Sequence, residues 1–353
     1  MTGPGPAAPG PAAPVVRASP GPVVVLGAHI LDVLGRPVES IPPGQGSARL
    51  AEIRATVAGT AAGTAVDLAK LGVAVRTIGA VGDDLLAQVL TGEMNRHGID
   101  TSRLVRKPGA QTSATILPIR PNGERPALHV PGATALLERA DLDLAALTGA
   151  AAVMIGAPDA LTGLTSGDLE EIATAAKAAG ALLVVDVLRP GSRRDFERIR
   201  GLLALADWFA PNSDQLAALT GESSLAGAIS SVLALGTGGV AVTLGAQGAV
   251  LATRSGGAPV PVPGIAVDVT DTTGCGDGFS AGLITGLLAG AAPEDAAWLG
   301  VACGSLVATG LGSDAGITGL DQVLGFLGRQ APGPAARLVA ALAPRPVPAG
   351  TTA

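Results

Sequence analysis

Aromatic side chains are nearly missing from this chain: there is no tyrosine, and only four phenylalanines and two tryptophans, Trp208 and Trp298, among 353 residues. Between Val23 and Leu136 there is no Phe, Tyr or Trp at all. A surface that stacks bases, or an aromatic shelf for a sugar, has little to be built from. Basic runs are missing too. The 23 Lys and Arg stand against 29 Asp and Glu, which argues against a nucleic-acid partner. Two cysteines, Cys275 and Cys303, are too few for a disulfide framework, and free thiols fit a reducing cytoplasm. His29, His97 and His129 are scattered without zinc-site spacing and read as surface or packing residues. Residues 1–20 are rich in Pro, Ala and Gly with no apolar run. They form neither a secretory signal nor a membrane span, so a cytoplasmic protein with no membrane partner is expected.

Apolar residues make up 48% of the chain, enough for a sizeable core. Residues 1–20 read as disordered, 21–330 as the folded domain, and 331–353 as a C-terminal tail with a short helix in it. Within the domain, strand and helix signals alternate, which implies an α/β fold with a doubly wound, mostly parallel sheet flanked by helices. Strands are expected at Val23–Gly27, Val73–Ala80, Ala151–Gly156, Ala181–Asp186, Trp208–Ala210 and Val240–Leu244. Each is a short apolar run, as a strand covered on both faces should be. Helices are expected at Thr64–Leu71, Asp84–His97, Gly167–Ala179, Asp214–Leu219 and Gly278–Leu288. Residues 31–57 and 111–131 break the alternation. Ser113–Ile119 and Pro126–Val130 read as a hairpin around Asn122-Gly123.

The most informative stretch is Asp271-Thr272-Thr273-Gly274-Cys275-Gly276-Asp277, followed by Gly278-Phe279-Ser280-Ala281-Gly282. A glycine-punctuated polar loop passes into an apolar helix. Gly274, Cys275 and Gly276 therefore sit at a helix N-terminus, where unpaired N–H groups and the positive end of the dipole favour an anion, phosphate above all. Asp277 beside such a pocket has the chemistry to take a proton from a hydroxyl that attacks the phosphate.

This string closely resembles the C-terminal signature of the ribokinase-like sugar kinases, the phosphofructokinase-B family, with Cys275 where Ala is commoner. The resemblance spans roughly residues 22–325. It implies the ribokinase-like fold with a small β-sheet lid, for which segments 31–57 and 111–131 are placed, and often a homodimer through that lid. Val25-Leu26-Gly27 with Asp32 resembles the opening strand and sugar-binding Asp; a carboxylate can accept from two sugar hydroxyls at once. Ala58-Gly59 through Gly63 resembles the glycine-rich N-terminal signature, but Gly63 stands in place of an Asn that normally touches the sugar. Gly132-Ala133-Thr134 resembles the lid closure, with Thr134 where Asn is commoner. Asn212-Ser213-Asp214-Gln215 occupies the place of an Asn-x-x-Glu motif whose Glu helps to hold hydrated Mg²⁺. The neutral Gln215 departs from it, and Asp214 is the neighbouring carboxylate. Thr243, Gly245 and Gly248 resemble the nucleotide edge. Asp271 and Thr273, with the loop at 309–315, match positions that bind a monovalent cation such as K⁺ in many relatives.

An ATP- and Mg²⁺-dependent sugar kinase is therefore expected, with Asp277 as general base and the Gly274–Gly276 backbone as anion hole. A nucleoside kinase, or a sugar-binding or regulatory relative without turnover, is the alternative that the departures at Gly63, Thr134 and Gln215 leave open. A free base would find no ring in the N-terminal half to stack on. Arg120 or Arg125 on the lid hairpin could meet an acidic or phosphate group of a sugar.

Overall fold

A computed structural model describes residues 21–122 and 124–343. The segment 1–20, residues 344–353, and Gly123 of the expected Asn122-Gly123 turn lie outside the described residues.

β1 (Val23–Gly27) reads Val-Val-Val-Leu-Gly and is buried throughout. The chain then leaves for a small sheet through β2 (Ile30–Arg36) and β3 (Glu52–Ala58), and returns by α1 (Ala62–Lys70) to β4 (Val75–Gly82). α2 (Leu85–Arg96) and β5 (Asp100–Lys107) finish that edge, while β6 (Ala114–Pro118) and β7 (Leu128–Val130) complete the small sheet. Strict alternation follows with β8 (Ala152–Gly156), α3 (Ser166–Ala178), β9 (Leu182–Asp186), α4 (Arg193–Leu205) and β10 (Trp208–Phe209). The other edge is built from α5 (Ser213–Thr220), α6 (Leu225–Leu233), β11 (Gly239–Thr243), β12 (Gly248–Thr253) and β13 (Val260–Pro263). Four helices close the described chain: α7 (Cys275–Leu288), α8 (Pro293–Val307), α9 (Leu320–Gln330) and α10 (Pro332–Leu342).

The main sheet runs β13-β12-β11-β10-β9-β8-β1-β4-β5. Its pairings are parallel except those of β12 with β11 and β13. Side chains alternate between two cores, as a period of two requires. Val23, Val25 and Met154 pack with Leu68 of α1 and Phe279 of α7. Val24, Leu26 and Ile155 pack with Ile172 of α3 and Ile199 of α4. Chain order reverses beside β1, which lies between β4 and β8. In open α/β sheets the crevice at such a reversal, past the carboxyl ends of the strands, is where ligands enter.

The small sheet runs β3-β2-β6-β7, within the two segments expected to form a lid. Its register puts Asp32 between Thr56 and Thr115, so the Asp stands inside a lid strand rather than at the end of β1. Ile53, Ile116 and Leu128 on this sheet are 70, 57 and 59% exposed. The C-terminal boundary differs from the expectation: Leu338 and Leu342 of α10 are buried in the core shared with α7 and α8. Pro332 starts that helix at a position where no N–H is needed. The folded domain thus continues to Leu342, because an Ala/Leu face in 331–343 finds apolar surface to cover. No single helix among the described residues is long and apolar enough to cross a membrane.

Candidate active site

The carboxyl ends of the strands and the small sheet enclose a cavity of about 850 Å³, lined among others by Asp32, Gly59, Arg125, Asp186, Asn212, Thr243, and the loop from Thr272 to Asp277. That loop can turn into α7 because Gly274 adopts φ +79° at the N-cap. A Cβ there would lie 2.4 Å from the Cα of Ser313, so any side chain would collide as well as strain the backbone. Gly276 faces open space, with nothing within 4 Å of a Cβ built on it. The first-turn N–H groups have no carbonyl one turn back to bond; that of Cys275 leans on the Thr272 carbonyl at 3.5 Å. An oxyanion in that space would meet the positive end of a 14-residue helix.

Asp277 is the third residue of α7 and only 8% exposed. Burial, then the negative charge of Asp32, push its pKa up from 3.8 to about 7. Asp32 is itself raised to about 6 by burial, against the opposing pull of a Thr115 hydrogen bond and the Arg125 charge. A carboxyl that titrates near neutral pH can accept a proton and release it again. α1 packs against this base: a Cβ on Gly63 would stand 2.6 Å from Asp277 Oδ2, and the Thr64 hydroxyl donates to the Asp277 carbonyl at 3.5 Å. Gly63 therefore makes room for the base, and has no side chain to offer a sugar. Gly59 and Thr60 line the cavity just before α1.

Across the cavity, Asn212 caps α5. Its side chain accepts from the Gln215 N–H at 2.9 Å, and the Gln215 amide oxygen accepts from the Asn212 N–H at 2.8 Å. The other end of that amide donates to the Val187 carbonyl at 2.9 Å. Gln215 is thus a buried cap with both ends of its amide engaged, and it lines the cavity beside Asp214. Asp214 is exposed and lines the cavity. Thr243 and Gly245 line it too. Gly248 does not: a Cβ there would sit 2.1 Å from the Val262 carbonyl, so its part is in the β12–β13 edge. The Asp271 carboxylate is engaged by its own loop and by Gly312. One oxygen accepts from the N–H of Thr273 at 3.0 Å and from its hydroxyl at 2.8 Å, and the other accepts from the Gly312 N–H at 3.0 Å. Among the described residues no group of three or more His, Cys, Asp or Glu is arranged to hold a metal ion.

Several lining residues carried no sequence signal of their own. Asp186 ends β9, accepts from the Val187 N–H at 2.7 Å and from Ser280 of α7 at 3.3 Å, and is held well above the usual carboxylate range by burial and then by Asp277. An Asp closing an apolar strand was the only hint. Arg120, on the lid hairpin, pairs with Glu124 at the surface. Arg125 reaches the cavity instead, donating to the hydroxyls of Thr272 at 3.2 Å and Thr273 at 2.9 Å. It ties the lid to the anion-binding loop.

Comparison with known proteins gives the class. The model of the pfkB family of carbohydrate kinases matches residues 22–318, and the chain belongs to this family. More particularly, it is 29% identical over 284 residues to 2-dehydro-3-deoxygluconokinase of Bacillus subtilis, covering 78% of this chain and 87% of that protein. It is 30% identical over 291 residues to the ATP-dependent ribose-1-phosphate kinase of Halopiger xanaduensis, covering 82% and 93%. Its fold matches a putative ribokinase II of E. coli solved with ATP and Mg²⁺, with a TM-score of 0.74, 21% identity, and coverage of 88% of this chain and 99% of that one. The chain is a sugar kinase of the ribokinase fold.

Proposed function

We propose that the protein transfers the γ-phosphoryl group of ATP to a hydroxyl of a monosaccharide or sugar derivative, with Asp277 as general base. The observation that carries this reading is the convergence of a base tuned to about 7 with an anion-binding helix terminus in one cavity under the lid. The sugar would lie against Asp32 and Gly59, with its reacting hydroxyl between Asp277 and the phosphate. Asp277 takes the hydroxyl proton while the oxygen bonds to phosphorus. The bond from phosphorus to the bridging oxygen breaks, and ADP leaves with the electron pair. The N–H groups of Gly274, Cys275 and Gly276 face the charge on the transferring group, where preorganised donors act most strongly. Arg125 can add a positive charge to the same place, because it already bonds Thr272 and Thr273.

Mg²⁺, when bound, would neutralise phosphate charge and keep most of its water shell, with Asp214 the free carboxylate on that wall. A monovalent ion such as K⁺ would rest on backbone carbonyls of the 271–273 and 309–315 loops, beside the Asp271 carboxylate that ties the two loops together. Asn212, Thr243, Gly245 and Thr273 would border the nucleotide. The exposed Ile53, Ile116 and Leu128 suit a homodimer that covers the outer face of the lid, and a cytoplasmic setting supplies the ATP.

No Phe, Tyr or Trp lines the cavity among the described residues, which favours a sugar over a nucleoside. Measuring ADP release across monosaccharides and nucleosides tests the reading; a nucleoside as the best substrate would replace it.

A further inference from the structure

The sugar end of the cavity contains a guanidinium that the phosphoryl-transfer chemistry does not use. Arg189 lies three residues past Asp186, in the loop that leaves β9, and lines the cavity. It is aimed by Asp159, which is buried to 1% exposure in the loop after β8. One Asp159 oxygen accepts from the Leu188 N–H at 2.9 Å; the other accepts from the Arg189 N–H and Nε, each at 3.3 Å. Arg189 Nη2 donates to the Asp159 carbonyl at 3.0 Å. The guanidinium is therefore fixed by one edge, and among the described residues its Nη1 has no partner.

His129 of β7 brings the lid to this spot. Its Nδ1 bonds the Thr115 hydroxyl at 3.1 Å, and it lines the same cavity. Burial, and then the Arg189 charge, lower its pKa, which puts the two side chains within electrostatic reach. Closing a lid over a neutral sugar would strip water from Arg189 Nη1 and give nothing back. An oxyanion at this position would accept from Arg189 in its fixed fork, beside the His129 ring.

We propose that Arg189, held by Asp159 and bordered by His129, forms a subsite for an oxyanion carried by the sugar, a carboxylate or a phosphate monoester, away from the hydroxyl that is phosphorylated. This rests on the kinase reading for the use of the cavity, and it narrows the substrate to anionic sugars. A site built to bond a charged group discriminates strongly against ligands without it. Arg189 is about half exposed, which limits the expected gain to about ten- to hundredfold.

The test compares glucose and fructose with gluconate, glucuronate and fructose-6-phosphate, in ADP release and in calorimetric binding, for the wild type and Arg189→Met. The expected result is that an anionic sugar binds best and is turned over with kcat/KM at least about tenfold above glucose or fructose. In Arg189→Met that advantage falls to within about threefold, through KM of the sugar. The carboxylate and phosphate arms show which oxyanion the subsite prefers. Neutral sugars equal to the best anionic one, no sugar bound by the wild type, or an Arg189→Met loss confined to KM for ATP would each overturn the proposal. Arg189-dependent binding of an anionic sugar without ADP release would refute the kinase reading and leave this one standing.

Discussion

Replacing Asp277 by Asn keeps the size of the side chain and removes its ability to take a proton, so it separates catalysis from stability. General-base assistance contributes ~10²–10⁴-fold, and kcat should fall by that order with a modest change in KM. The pH profile should change in kind. With a pKa of about 7, wild-type kcat/KM should rise about tenfold per pH unit below neutrality and level off above it; the variant should be flat over that range. Stability should move the other way. The folded pKa of Asp277 is raised from 3.8 to about 7, so the native state holds a proton that the unfolded chain gives up. The wild type loses stability as pH rises from about 4 to about 7, by on the order of 4 kcal/mol if no relaxation occurs. Asn escapes that cost. Even half of it should raise Tm at pH 8 by several degrees, with the gap closing as pH falls towards 4. Thermal melts and initial rates across pH check both halves. A variant with more than about half the wild-type kcat, or one less stable than the wild type at pH 8, would refute the reasoning.

Gly63→Ala should lower kcat by at least about tenfold while the protein stays folded, since a Cβ 2.6 Å from Asp277 Oδ2 must push the base aside; unchanged kcat with an ordinary melt contradicts it. Gln215→Glu should leave the Mg²⁺ titration unchanged and cost about 1–3 kcal/mol of stability, because a carboxylate would face the Val187 carbonyl that the amide now bonds. A lower Mg²⁺ requirement would restore Gln215 to the metal. The best monosaccharide derivative should exceed any nucleoside by at least about tenfold in kcat/KM, roughly 1.4 kcal/mol, as the ADP-release comparison reads directly.

β1, β4, β8, β9, β10 and β11 could be read from the sequence because each is an apolar run of about the right length, with boundaries within two residues; β5, a largely polar strand, and the antiparallel edge of β12 and β13 could not. Val73 and Ala74, for example, fall before β4 begins at Val75. The loop from Asp271 to Asp277 was legible because helix-terminus chemistry is local. What was not legible depended on which partners tertiary structure supplies. Gln215 reads as a weakened metal residue by resemblance, yet Asn212-x-x-Gln215 is also a capping box, and the Val187 carbonyl holds the other end of its amide. Asp271 reads as an ion ligand by resemblance, and nothing local shows that Gly312, 41 residues on, bonds its second oxygen. Arg189, Asp159 and His129 come from two strand exits and the lid, and no local pattern joins them. The Ala/Leu stretch of α10 looked like a tail because its burial partners lie on α8 and α9.

The measurement that tests the central claim most directly is product identification after incubating the protein with ATP, Mg²⁺ and its best monosaccharide substrate. Mass spectrometry and phosphorus NMR should show a sugar phosphomonoester formed mole for mole with ADP, and neither product above background with Asp277→Asn. ADP released without a phosphorylated sugar, or the same product formed by the variant at the wild-type rate, would contradict the account.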